Sequence, residues 1–297
     1  MNLVALILLS ALWGGSFIFV RVAVPVFGPV LLIELRVLMA GLLLLGYILA
    51  TRGTTRFRAH WRHHLAVGVI NSALPFVLIA AAELRLPASL ASILNATTPL
   101  FAAVFAALMM GEVFTVRKAA GLAVGFIGAV AIIGLGPVPV TPATLVSAGL
   151  SLAAAVSYGL APVYMRVKVP EEHPQVLAMG SLFFASLVLL PLVPFTLPRQ
   201  APSATAIGCV LGLVLTTAVA YLLFFRLIAE VGPIFASMNA YLVPAFGTLW
   251  GSLFLHERFD LGTLIGFGLI LVSVALVTEI TPRGRVTSRS GTVTSGR

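Results

Sequence analysis

The chain has 297 residues, of which 60% are hydrophobic and only 9% charged, with a mean hydropathy of +1.12, whereas soluble domains carry about 45–50% apolar and about 25% charged residues. This excludes a soluble enzyme or binding module and predicts an all-α polytopic membrane protein. The net charge of +9 does not point to nucleic acid, because the cations lie in loops and the tail rather than on a basic stripe with exposed aromatics; the single Cys209 excludes an internal disulfide and a cysteine metal cluster.

Cutting at Pro/Gly clusters and charge groups gives ten apolar stretches, near 3–24, 30–51, 64–83, 87–110, 116–135, 144–166, 176–197, 205–228, 233–255 and 260–280. Each is long enough as a helix to cross a hydrocarbon core of about 30 Å, whereas membrane strands would show alternating segments of about ten residues. The apolar start, Leu3 to Leu12, resembles a signal peptide, but its following Trp13-Gly14 recurs as Tyr158-Gly159, so it reads as a retained first span. With the N-terminus inside, thirteen Lys and Arg residues fall on the inner side, among them Arg52, Arg56, Arg58, Arg62, Arg117, Lys118, Arg166 and Lys168. Only Arg85, Arg199 and Arg258 fall outside, and Arg21 and Arg36 lie within spans. That asymmetry predicts a multi-pass protein of the inner (plasma) membrane with both termini cytoplasmic. His60, His63 and His64, in the basic second loop, suit anionic lipid headgroups better than a metal. Residues 281–297, rich in Ser, Thr, Gly and Arg, are expected to form a disordered basic cytoplasmic tail.

A constant offset of 145 carries Trp13-Gly14, Arg21, Ala91-Ser92, Pro99, Phe101, Glu112 and Gly121 onto Tyr158-Gly159, Arg166, Ala236-Ser237, Pro244, Phe246, Glu257 and Gly266. The chain thus reads as two five-helix repeats, 1–140 and 141–280, which cover one another's polar faces in one body. Five is odd, so the second repeat enters the membrane from the opposite face. Inverted repeats can exchange conformations around a midplane site, the geometry of alternating access.

The fourth and ninth stretches carry the sharpest repeated signature. Ser92, Asn95 and Pro99 share one helical face, as do Ser237, Tyr241 and Pro244, with Asn239 beside the latter. Small, mildly polar faces with prolines serve either a cavity wall, with Pro99 and Pro244 as bending points, or tight helix packing. Glu112 and Glu257 are followed three positions later by Thr115 and Asp260, favoured N-caps; each glutamate therefore belongs to an interhelical turn, neutralised by Arg117 or Arg258, with proton coupling as the alternative. Arg21 and Arg166 suit snorkelling at span ends or a gate, and Glu34 with Arg36, like Arg226 with Glu230, reads as a local pair near a helix end. Recurrent aromatics at Trp13/Tyr158, Phe76/Tyr221 and Phe101/Phe246, beside Ser16, Asn71 and Ser72, suggest a pocket for flat or amphiphilic solutes. Gly121-x-x-x-Gly125 and Gly262-x-x-x-Gly266 permit close helix contact, within the chain or at a dimer seam.

The aromatic-Gly pairs at 13–14 and 158–159, the Pro-to-Glu segments at 99–112 and 244–257 and the duplicated five-helix unit resemble the drug/metabolite transporter superfamily, in particular its ten-helix EamA family, over about residues 3–280. The resemblance implies cytoplasmic termini and a central cavity built mainly by the first, third, fourth, sixth, eighth and ninth spans. It also implies export of amino acids, other metabolites or toxic organic compounds; an aromatic amino acid exporter is a similar member. The expected partners are a small-molecule substrate and the bilayer, without nucleic acid, and the oligomeric state stays open. No cofactor or metal is expected, and no Gly-rich phosphate loop with a following Lys and Ser/Thr is present, so the chain should not hydrolyse ATP. Without clustered catalytic groups in the spans, a membrane-embedded enzyme is disfavoured. A channel-like pore and an exporter of drugs or organic cations are the rivals to an amino acid exporter.

Overall fold

A computed structural model describes residues 2–50, 57–169, 174–198, 201–232, 238–258 and 260–278, and the regular structure among these residues is entirely helical. Ser237, Phe259 and the tail 281–297 lie outside the described residues. Helices follow from the composition, because in hydrocarbon every backbone N–H and C=O must be satisfied within its own segment.

The first helix, α1 (Asn2–Ala50), has 49 residues, roughly twice what a core of about 30 Å requires at about 1.5 Å per residue. It divides into two arms at Gly28, whose φ of 71° and ψ of 163° are open to glycine alone, between Pro25 and Pro29. Next come α2 (Phe57–Gly68), a π-helical turn (Val69–Ala73) and α3 (Leu74–Ala82), which run on as one rod. The fourth stretch is two helices, α4 (Ala88–Asn95) and α5 (Thr98–Met110). There follow α6 (Val116–Leu135), α7 (Pro142–Lys168), α8 (Pro174–Leu189) with a 3₁₀ turn (Leu190–Phe195), α9 (Ala204–Val231), α10 (Asn239–Leu255) and α11 (Leu261–Val277). Among the described residues, seven helical segments are long and apolar enough to cross a membrane, and helical residues occupy every one of the ten predicted stretches.

Helix starts carry local caps. Thr115, Thr141, Ser203 and Asp260 each accept from the backbone N–H three residues on, at 3.3, 3.2, 3.2 and 2.8 Å, satisfying a donor that the first turn leaves open. The largest apolar cluster among the described residues joins residues 20–48 of α1 to α3, α8 and α9 through Leu32, Ile33, Val37, Ala80, Leu182 and Leu213.

Glycines set the seams, and the seams come in exchanged pairs. A Cβ on Gly14 would lie 2.7 Å from Phe246 Cβ and Gly247 N; one on Gly159 would lie 2.7 Å from Phe101 Cβ and Ala102 N. Adding 145 to one partner and subtracting it from the other converts the first contact into the second. The same exchange relates Gly121 against Val277 and Ser273 to Gly266 against Ile132 and Gly128, in the seam of α6 and α11. The repeated glycine motifs are thus used inside the chain. Two of the three histidines near the second loop differ from the expectation, the His60 side chain lying outside the described residues: His64 is fully buried in α2, stacked on Phe184 of α8 at 6.3 Å, and His63 Nδ1 lies 3.0 Å from the Tyr164 hydroxyl. They pack helices rather than meet headgroups, because α2 starts before them at Phe57 and carries them into the bundle.

Candidate functional site

The exchanged seams bring four aromatic side chains together in two pairs. Trp13 of α1 meets Tyr221 of α9 edge-on, with ring centroids 6.1 Å apart at 82°, and Phe76 of α3 meets Tyr158 of α7 at 6.1 Å and 64°. The offset of 145 turns one pair into the other, and each pair joins a helix of one repeat to a helix of the other. Gly14 and Gly159 follow Trp13 and Tyr158 in sequence, so the close approach at the seams positions the rings.

Between the two pairs lies a residue that the sequence reading placed elsewhere. Arg36 is 6% exposed, its guanidinium stands 3.7 Å from the Phe76 ring centroid, and its Nε donates to Thr217 Oγ1 at 3.0 Å. Thr217 passes the bond on to the Leu213 carbonyl at 2.6 Å, one turn of α9 before Tyr221. Arg36 does not pair with Glu34, whose Oε1 instead accepts from Ser186 Oγ at 2.6 Å. Residues two apart on a helix point to different sides, which is why the local pair fails. The signal for Arg36 was present in the sequence as an arginine inside an apolar stretch, where a charge is costly and calls for a use.

The π-helical turn adds polar groups. Asn71 Nδ2 donates to Ser181 Oγ at 3.5 Å, and Ser72 Oγ lies 2.6 Å from the same oxygen. A π turn carries one extra residue per turn, so it redirects neighbouring side chains, as π turns at functional sites do.

The fourth and ninth stretches divide between packing and polarity. Ser92, almost wholly buried, bonds the Ser89 carbonyl at 2.8 Å and faces Gly247, in the seam of α4 and α10. Ser16 likewise turns back onto the Trp13 carbonyl at 2.6 Å, and the Phe101 Cβ fills the space beside Gly159. Asn95 ends α4 with its side-chain oxygen buried and without a hydrogen-bond partner. Asn239 opens α10, and the Tyr241 hydroxyl bonds Thr278. The bend at Pro99 takes another form than a kink: the break lies at Ala96-Thr97, and Pro99 sits in the first turn of α5, where its missing N–H costs nothing. Pro244 lies inside an unbroken α10.

The repeated charges cluster at helix ends. Glu257 accepts from the Ala88 and Ser89 backbone N–H groups at 2.8 and 3.0 Å, closing the start of α4, and Arg21 donates to the Glu83 carbonyl nearby. At the other repeat's counterpart, Glu112 lies 3.8 Å from Lys118 and 3.7 Å from Arg166. The expected partners Arg117 and Arg258 are replaced: Arg117 reaches the Ala275 carbonyl at 3.4 Å. Arg226 and Glu230 pair as the spacing predicts, at 2.8 Å. Among the described residues no group of three or more potential metal ligands occurs.

The EamA-like transporter family matches residues 1–134 and again 145–279. The chain belongs to the EamA-like transporter family. It is therefore a multi-pass membrane transporter of that family rather than an enzyme. Among curated relatives, an uncharacterized transporter YvbV of Bacillus subtilis is 29% identical over 91% of this chain and 88% of its own length. Protein PecM of Dickeya dadantii is 26% identical, covering 90% of this chain and 89% of its own. A probable terminal-alkyne amino-acid exporter of Streptantibioticus cattleyicolor is 28% identical, with 93% of each chain covered. A solved crystal structure, 20% identical, superposes with a TM-score of 0.65 over 93% of this chain and 96% of its own, and shares its fold.

Proposed function

We propose that this EamA-like protein exports small amphiphilic metabolites, amino acids foremost, across the inner membrane by alternating access between two inverted halves, with both termini cytoplasmic. The observation that carries this reading is the exchanged pair of aromatic contacts, Trp13 on Tyr221 and Phe76 on Tyr158. Each contact ties a helix of one half to a helix of the other, so each has a counterpart that can tighten when the first loosens. The ends differ in a way that supports one particular state. At the outer end Glu257 locks onto α4 and Glu83 is fully buried, whereas at the inner end the Glu112 and Arg166 side chains are 41% and 63% exposed. This favours a protein closed outside and loosened inside, ready to load from the cytoplasm. Aromatic walls with few polar groups suit amphiphilic solutes, and a relative carries the name of a probable amino-acid exporter.

Uptake of labelled phenylalanine and other neutral amino acids into proteoliposomes tests the proposal. Saturable flux above empty vesicles is expected, with Trp13→Ala and Tyr158→Ala each lowering it. No flux for any tested amino acid, or variants that behave as wild type, would contradict it.

A further inference from the structure

Resting on the transport reading above, we infer that Arg36 is the carboxylate-recognising residue of the site, and that the substrate is a monocarboxylate with an apolar or aromatic body. A guanidinium offers five N–H donors in a planar fork. Only Nε is used, on neutral Thr217, and among the described residues no carboxylate pairs with Arg36 and no acceptor meets its two terminal nitrogens. An arginine inside a span is costly unless its charge is answered. Glu83, at the end of α3, does not pair with it: the Glu83 side chain makes no hydrogen bond and its backbone carbonyl accepts from Arg21.

The surroundings define what can answer the charge. The Phe76 ring covers one face of the guanidinium at 3.7 Å, and Thr217 takes its Nε, which leaves the two terminal nitrogens without a hydrogen-bond acceptor among the described residues. Two parallel N–H donors without an acceptor match the two oxygens of a carboxylate. The ring of Phe76, with Tyr158 against it, and Tyr221, one turn along α9 from Thr217, then provide a surface for the rest of the molecule. The same unpaired positive charge repels organic cations, so it argues against a cationic drug as the cargo.

The test uses purified full-length protein and four probes: phenylalanine, 3-phenylpropionate, phenylalaninamide and phenethylamine. Ligand-induced thermal protection in detergent reads binding, and proteoliposome uptake reads transport. The two carboxylates are expected to protect wild type, and the amide and the amine are not. Arg36→Gln should weaken carboxylate binding by about tenfold or more, the usual effect of losing a charge-assisted pair. Arg36→Lys, which keeps the charge without the fork, should fall between. Should Arg36→Gln fail to fold, Thr217→Val frees Nε while retaining the charge, and a preference for carboxylate over amide that is weakened but kept is then expected. Equal protection by amide and carboxylate, no protection by any probe, or an unchanged carboxylate preference in Arg36→Gln or Arg36→Lys would overturn the inference. The two readings fail separately: carboxylates that bind through Arg36 but never cross would sink the export reading alone, and flux with an unchanged preference in Arg36→Gln would sink only this one.

Discussion

Glu112 and Glu257 occupy equivalent positions in the two repeats yet stand in unequal surroundings. Both follow a left-handed C-cap, Gly111 at φ 67° and His256 at φ 53°, and their N–H groups reach back to Ala106 and Gly251 at 3.4 and 3.2 Å. Glu257 goes on to accept two backbone N–H bonds at the start of α4, whereas Glu112 makes two long, exposed ion pairs. Charge-assisted bonds at a helix start are worth about 1–2 kcal/mol, and exposed pairs about 0–1 kcal/mol. Glu257→Ala is thus expected to lower the unfolding midpoint clearly, and Glu112→Ala to leave it nearly unchanged; equal shifts would refute the assignment. His256 supplies a second case. A non-glycine residue in the left-handed region costs about 1–2 kcal/mol, partly offset by the entropy a glycine adds to the unfolded chain. His256→Gly should raise stability by up to about 1 kcal/mol, checked by the same unfolding midpoint, and a loss would show that the imidazole makes a contact that matters more than the backbone.

At the scale of elements, glycine spacing and helix caps were legible in the sequence because they act over a few residues. Thr115 and Asp260 cap as their positions suggest, and the repeated glycine motifs lie in the seam of α6 and α11. What local pattern could not supply is pairing across the bundle. Arg36 finds Thr217, 181 positions away, and Glu34 finds Ser186, 152 positions away, while their sequence spacing suggested each other. The break in the fourth span was misplaced for a related reason: a proline reads as a kink in sequence, but here Pro99 begins a helix and the break precedes it. The π turn at Val69–Ala73 left no sequence signature that periodicity could detect. The seams yield a comparison. Gly14→Ala and Gly159→Ala push a methyl to 2.7 Å from backbone atoms of the facing helix, an overpacking expected to cost about 1–3 kcal/mol each. Gly149→Ala and Gly208→Ala meet nothing within 4 Å and should be neutral or stabilising by up to about 1 kcal/mol. Thermal unfolding of the four variants side by side checks this; similar losses at all four would contradict the seam geometry.

For the whole molecule, the offset of 145 that is visible in the sequence recurs in space as exchanged contacts, from the Gly14 and Gly159 seams to the two aromatic pairs. A site built from contacts that swap between equivalent halves can open on one side as it closes on the other, and a continuous pore does not need this exchange. Counterflow decides between them. Proteoliposomes loaded with unlabelled phenylalanine, placed in trace labelled phenylalanine, should accumulate label transiently above its outside concentration and at a saturable rate, because unlabelled phenylalanine competes with label for the inside-facing site and slows its exit. Label that only equilibrates, at a rate independent of the internal load and proportional to concentration without limit, would contradict alternating access.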